Sequence, residues 1–220
     1  AYNAVHTPMQ ATDEDMAKFE GHPRQKLAAM TYALDRGVGT VIRGLKDSGK
    51  FDNTLIFFLS DNGGATTNQS SNYPLKGFKG NKFEGGHRVP YFVVWKNGIP
   101  AGKPYDGLVS SLDIFATAID AASISKTRNR LDGVSLLPYL KGKKGEPHKV
   151  LYWRKMDTRA IRSGDYKLII THGVDSVLYN IRRDPEEMNN LINKEPDLYR
   201  KLAKKLAKWE KNEGIEPSWL

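Results

Sequence analysis

Apolar and polar positions divide the chain into helical, continuous and alternating segments. From Arg24 the apolar residues Leu27, Met30, Leu34, Val38, Val41 and Leu45 recur at steps of three and four, the period of one helix face. Upstream, Thr12 followed by Asp13, Glu14 and Asp15 predicts a separate helix start, with Thr12 as N-cap and acids in the first turn. Thr54-Leu-Ile-Phe-Phe-Leu-Ser60 has no polar alternation and predicts a strand buried on both faces, as in a parallel sheet. Taken with Ala1–Val5 as an earlier strand, the intervening helix makes a βαβ-type unit. Tyr91–Trp95 predicts another apolar strand. Leu112, Phe115, Ala116 and Ile119 form the stripe of a further helix, capped by Ser110 or Ser111, with Asp113 in its first turn.

The pattern changes after the basic, Gly/Pro-bearing stretch Lys141–Pro147. Val150–Trp153, Arg159–Arg162, Tyr166–Ile170 and Val177–Asn180 predict short strands of a small antiparallel sheet, with Ser163-Gly164-Asp165 as one hairpin turn. Asp184-Pro185-Glu186-Glu187 has the form of a helix start. Over Pro196–Asn212 the residues Leu198, Leu202, Leu206 and Trp209 share one helix face, and Lys201, Lys204, Lys205, Lys208 and Lys211 the other. The expected class is α/β over residues 1–145, followed by a small α+β domain over 146–220 with an antiparallel sheet and a C-terminal helix.

Composition narrows the partners. A formal net charge of +9 favours polyanions, although much of the excess lies on solvated helix faces. No nucleic-acid-binding motif is present, so no nucleic acid partner is expected. No stretch is long enough to span a bilayer, so no membrane partner is expected either. The absence of cysteine excludes disulfides and thiolate-ligated metals.

Candidate chemistry gathers between Thr54 and Pro90. Asp61-Asn62-Gly63-Gly64 directly follows the apolar run, and open α/β sheets place their chemistry beyond the carboxyl ends of strands. The side-chain oxygens of Asp61 and Asn62 suit Ca²⁺ or Mg²⁺, and the glycines permit close backbone approach to a ligand. Two donors fall short of the roughly six to eight oxygens Ca²⁺ takes. Downstream, Lys79 and Arg88 supply positive charge for an anion. Read singly, the first motif is a turn and the second a solvated loop; together and in this order they make a candidate site. The polar stretch Ala65–Leu75 is expected to be a mobile loop and contains the formal glycosylation sequon Asn68-Gln-Ser70.

Ser60-Asp61-Asn62-Gly63-Gly64, then Gly77-Phe-Lys79-Gly, then Phe83-Glu84-Gly85-Gly86-His-Arg88-Val-Pro90 resemble the second half of a formylglycine-dependent sulfatase of the alkaline-phosphatase-like superfamily. His6-Thr-Pro8, Ser110-Ser-Leu-Asp113, Leu131-Asp132-Gly133 and Leu178-Tyr179-Asn180 through Asn189-Asn-Leu191 resemble other segments of that family, in the family's order. The resemblance implies the C-terminal part of an alkaline-phosphatase-like sandwich. It implies Asp61 and Asn62 as metal ligands for Ca²⁺, and Lys79 and His6 as catalytic, sulfate-binding groups. Spacing to Glu84-Gly85-Gly86 selects Lys79 over Lys76 and Lys82, and the family places Arg88 behind the site as a brace, with Glu84 as its suggested partner. The implied substrate is a sulfated small molecule or glycan, and the implied location is periplasmic or secreted.

The family's nucleophile is a formylglycine made from Cys or Ser in a Cys/Ser-x-Pro-x-Arg motif, and this chain has neither form. That motif, and the carboxylates completing the metal site, are expected in a missing N-terminal half of the same enzyme, so the 220 residues alone are expected to be inactive. Two alternatives are a phosphodiesterase or phosphonate hydrolase of the same superfamily and a non-catalytic polyanion-binding module.

Overall fold

The structure, a computed structural model, describes residues 1–124 and 130–215. These fall into two compact units. One comprises Ala1–Ser60, Gly64–Ser71 and Pro90–Lys103; the other comprises Asp61–Gly63, Asn72–Val89 and Pro104–Leu220.

The first unit is built on two helices and a strand pair. Helix α1 spans Asp13–Ala17, and Thr12 caps it by accepting the Asp15 N–H at 3.2 Å. Helix α2 spans Gln25–Asp47. Arg36 on α2 grips the buried Asp15 carboxylate with two hydrogen bonds, at 2.6 and 2.8 Å. This paired contact holds the Asp15 carboxyl down at about 2. Strand β1, Ile56–Leu59, pairs antiparallel with β2, Tyr91–Val94, in the register Ile56↔Val94 to Leu59↔Tyr91.

Two expectations fail here. Ala1–Val5 is not a strand, because the His6 N–H returns to the Asn3 carbonyl at 2.7 Å and closes a turn. Nor is β1 a parallel strand buried on both faces. Its described partner is antiparallel, and Phe58, Phe92 and Val94 lie more than a third exposed on one face of the pair. An apolar run marks a segment that can be covered on both sides; strand direction and the covering layer come from other parts of a fold.

The second unit is organised around a four-stranded antiparallel meander in the order β3-β4-β5-β6. The strands are Val150–Lys155, Thr158–Ser163, Tyr166–Thr171 and Val174–Asn180. Gly164 forms the predicted turn, with a φ of 56°. Helix α6, Pro196–Asn212, lays Leu202 and Leu206 on the sheet, where they join Ile161, Leu168 and Leu178 in a core at most 2% exposed. Burying each such side chain contributes about 1.5–3 kcal/mol. Trp209 extends the contact by stacking on Tyr152 with ring centres 4.8 Å apart and planes 3° apart.

Shorter helices complete this unit: α3 at Glu84–His87, α4 at Asp113–Ala121 and α5 at Leu137–Leu140. Neither serine caps α4 in the expected way. Its N-cap is Leu112, and the buried Asp113 carboxylate instead accepts from Ser110 N at 2.8 Å, Val134 N at 2.9 Å and His148 Nε2 at 2.7 Å. Asp184–Glu187 does not start a helix. The Asp184 carboxylate accepts the N–H groups of Met188 and Asn189 at 3.1 and 2.8 Å, so its capping chemistry closes a loop.

Candidate functional site

Asp61 and Asn62 stand immediately past β1, Asp61 exposed and Asn62 half-buried. They are carried by a turn that docks on α3. Gly63 N–H donates to the Gly86 carbonyl at 3.0 Å, and a Cβ on Gly63 would lie 1.8 Å from the Gly85 oxygen. Two stretches distant in sequence touch here because both lack side chains. The glycines of Asp-Asn-Gly-Gly were expected to admit a ligand; Gly63 instead admits the backbone of Gly85.

Lys79 belongs to the same unit, at the tip of a turn between Phe78 and Asn81. Asn81 N–H donates to the Phe78 carbonyl at 2.9 Å, and the Asn81 side-chain oxygen accepts the Phe78 N–H at 3.0 Å. Gly80 takes the positive φ, 93°, that the third residue of such a turn requires. This leaves Lys79 exposed. Its two lysine neighbours are placed otherwise. Lys76 Nζ donates to the Glu187 carbonyl at 3.2 Å and lies over the Phe83 ring at 4.6 Å. Lys82 is only 9% exposed.

The loop bearing Lys79 is held from beneath by charges that the sequence reading largely missed. Glu84, 3% exposed, accepts a hydrogen bond from Lys167 Nζ on β5 at 2.8 Å. Arg162 on β4 lies 3.5 Å from the other Glu84 oxygen, and Arg88, its expected partner, 3.7 Å from that same oxygen. Lys167 also lies 2.6 Å from Glu187 Oε1, a charge contact without hydrogen-bond alignment. Glu187 Oε2 in turn accepts the Glu84 N–H at 2.6 Å. Burial alone would raise the Glu84 carboxyl, but the surrounding positive charge, the Lys167 ammonium foremost with Arg162 beside it, holds it below the usual range. For Glu187 burial prevails, and its carboxyl is pushed up. The hint available in sequence was a lysine inside the apolar strand Tyr166–Ile170, where an unpaired charge would be costly.

His87, half-buried, is a further titratable group of this loop. Its ring stacks on Trp153 of β3 at 4.4 Å, and its Nε2–H donates to the Lys82 carbonyl at 3.0 Å. Burial, reinforced by the Lys167 charge, lowers it to about 4, so the ring is neutral at physiological pH.

His6 lies in the other unit and is exposed. Its Nδ1 contacts the Thr7 carbonyl at 2.6 Å, and since a carbonyl only accepts, that nitrogen carries the proton in this contact. In the same unit Asn68, which the sequence offers as a glycosylation site, is 6% exposed. Its amide donates to the Val5 carbonyl at 2.8 Å, and its oxygen accepts the Ser70 N–H at 3.2 Å. The polar loop is therefore pinned at this point, and the sequon nitrogen is occupied.

The structure thus gathers Asp61, Asn62 and Lys79 into one unit. Asp61 and Asn62 offer the hard oxygen donors that Ca²⁺ or Mg²⁺ takes, as part of a ligand set. Among the described residues no group of three or more His, Cys, Asp or Glu side chains could hold a metal ion.

A family model described as Sulfatase matches residues 1–124, and one described as N-sulphoglucosamine sulphohydrolase, C-terminal, matches residues 79–212. The chain is similar to the uncharacterized sulfatase YdeN of Escherichia coli (strain K12), 42% identical over 160 residues that cover 70% of this chain and 28% of that protein. It is 33% identical over 172 residues to N-acetylgalactosamine-6-sulfatase of Canis lupus familiaris, covering 76% of this chain and 32% of that protein. Among solved structures, that of Ps i-CgsB in complex with k-i-k-neocarrahexaose superposes with a TM-score of 0.88 and 38% identity, over 95% of this chain and 48% of that one. The chain therefore spans about a third or less of these curated relatives and about half of this solved structure.

Proposed function

The chain belongs to the sulfatase family, and from that premise we propose that it forms the C-terminal part of an enzyme that hydrolyses sulfate esters of sulfated sugars. The observation carrying this reading is the docking of the Asp61–Gly63 turn on the Glu84–His87 helix, which joins the proposed metal-binding pair to the lysine loop in one unit. In this reading Asp61 and Asn62 donate side-chain oxygens to Ca²⁺, and residues outside these 220 supply the remaining ligands and the formylglycine. Those groups, when bound, supply the Lewis acid and the nucleophile.

The contributions of this chain follow from its own side chains. Lys79, raised on its turn, directs an ammonium at a sulfate oxygen and neutralises charge that grows as the ester bond breaks. His6 keeps the sulfate-binding, leaving-group role its motif implies. Arg88, Arg162, Lys167 and the two buried glutamates hold the loop and touch no substrate. Residues 1–145 form the catalytic-domain portion and 146–220 the small α+β portion of our proposed division. The family relationship supports placing the enzyme in the periplasm or outside the cell. No helix among the described residues is long and apolar enough to cross a membrane.

The test is turnover of 4-nitrophenyl sulfate and 4-nitrophenyl phosphate by the intact native protein and its variants. The expected result is preference for the sulfate ester, with Asp61→Asn and Lys79→Met each lowering kcat/KM at least about a hundredfold, the scale of removing one charge-stabilising group. Preference for phosphate would favour the phosphoesterase alternative. Variants within about threefold of the native protein would remove these residues from the site.

A further inference from the structure

Lys82 is an unusual side chain for a surface loop. As a residue it is only 9% exposed, but its ammonium reaches solvent, and among the described residues no carboxylate or hydrogen-bond acceptor engages it. A lysine whose stem is so buried ordinarily leads its charged end to water or to an acid. The nearby acid, Glu84, is already engaged by Lys167 and Arg162. The charge that acts on Lys82 is a second cation. Lys155 on β3 is close enough for its charge to act on Lys82, and its Nζ reaches to 2.7 Å from where a Cβ on Gly80 would stand. Burial and then Lys155 both push the Lys82 ammonium down from its ordinary value.

The surroundings hold this arrangement in place. Trp153 and Lys155 alternate with Arg154 along β3 and so project from one face of the strand. The Trp153 ring is fixed by its stack on His87, and His87 fixes the Lys82 backbone through its carbonyl. One strand face thus supplies a wall and a cation, and the opposing loop supplies the other cation. Two like charges held together without an acid cost free energy, which an anion between them would relieve.

We propose that Lys82 and Lys155 form a subsite for a second anionic group of the substrate, a sulfate ester or carboxylate on the sugar next to the one being hydrolysed. This deepens the sulfatase reading and rests on it: Lys79 holds the reacting sulfate, and the Gly80 turn carries the chain from that residue to the Lys82–Lys155 pair. The subsite makes the enzyme selective for saccharides of high charge density.

The experiment compares one disaccharide sulfated once with the same disaccharide bearing an additional sulfate on its neighbouring residue, using the intact native protein. The ratio of kcat/KM, doubly over singly sulfated, is expected to exceed one. It should fall about tenfold in Lys82→Met and in Lys155→Met, the scale of losing one charge-assisted hydrogen bond. Lys155→Arg should retain most of it. A general disturbance of the fold would lower both rates and leave their ratio unchanged, and that outcome overturns the proposal. Calorimetric titration of both disaccharides and of inorganic sulfate into the Lys79→Met protein reads the subsite without turnover. Absence of hydrolysis with a binding preference that Lys82→Met removes would reject the sulfatase reading and keep the subsite. Equal affinity for the two disaccharides, or loss confined to inorganic sulfate, would reject the subsite.

Discussion

Replacing Lys167 by methionine should unsettle the loop that carries Lys79 more than any other single change in the small sheet. Lys167 is fully buried, with Nζ at 2.8 Å from Glu84 and 2.6 Å from Glu187. At an effective dielectric constant of about 20, each contact is worth ~6 kcal/mol in Coulomb energy. Most of that is offset by the cost of taking three ions out of water. Methionine matches the shape but leaves two buried carboxylates, with Arg162 and Arg88 at 3.5 and 3.7 Å as the remaining cations near Glu84. Breaking such a buried arrangement from one side costs about 3–5 kcal/mol. Hydrogen exchange of the Leu168 and Ile169 amides in the native protein measures this locally. At pH 7 their protection should drop by at least about a hundredfold, the equivalent of ~3 kcal/mol.

The pH dependence provides an internal check. Without the ammonium, both carboxyls have folded values raised above their unfolded ones. The variant's native state then binds more protons than its unfolded state, and its stability rises as pH falls. Its deficit should therefore shrink from pH 7 to pH 5. Glu187→Gln makes the companion variant. It keeps an oxygen to accept the Glu84 N–H and removes a charge that burial already penalises, so it should cost less than about 1 kcal/mol. A fall in protection below about fivefold in Lys167→Met, or a deficit that grows on acidification, would refute the reasoning.

Two further outcomes test the site's framework. Gly63→Ala places a Cβ 1.8 Å from the Gly85 oxygen, a backbone atom that has no rotamer by which to yield. It should cost about 2–3 kcal/mol locally and lower kcat/KM on 4-nitrophenyl sulfate at least about tenfold by displacing Asp61 and Asn62; activity within twofold would separate that contact from the site. His87, lowered to about 4 by burial and the Lys167 charge, contributes stability that is fully present above 6.5 and lost as pH falls toward 4, with a ceiling of ~3 kcal/mol. His87→Phe keeps a ring against Trp153 and should flatten the acid limb of a stability–pH curve between 6.5 and 4; parallel limbs would assign that acid sensitivity to other groups.

Much of this protein was legible in the order of its residues. The period of Leu27 to Leu45 yielded α2, the alternation after Val150 yielded the meander, and Leu198, Leu202, Leu206 and Trp209 yielded the buried face of α6. These depend on local periodicity, which one-dimensional order contains. The family was legible for a related reason: Ser-Asp-Asn-Gly-Gly, Gly-Phe-Lys-Gly and Glu-Gly-Gly-His-Arg are local strings in a given order. Thr12 capped its helix as read, because a cap involves only neighbours.

What depended on distant residues required the tertiary structure. The direction of β1 followed from pairing with Tyr91–Val94, and the apolar run was indifferent to it. Asp184 used the same carboxylate chemistry to close a loop as it would have used to start a helix. Glu84 met Lys167 across 83 positions and shared it with Glu187, and neither partner has a sequence neighbour that announces the pairing. Gly63 needed to be glycine because Gly85 reaches it from another part of the chain. Lys76, Lys79 and Lys82 look alike in sequence, but one is spent on the Glu187 carbonyl and the Phe83 ring, one is raised on a turn, and one has a buried stem and feels the charge of Lys155. Sequence determines which groups are present and which faces are apolar; the fold decides which charges meet, since Coulomb and steric energies depend on distance in space and not on separation along the chain.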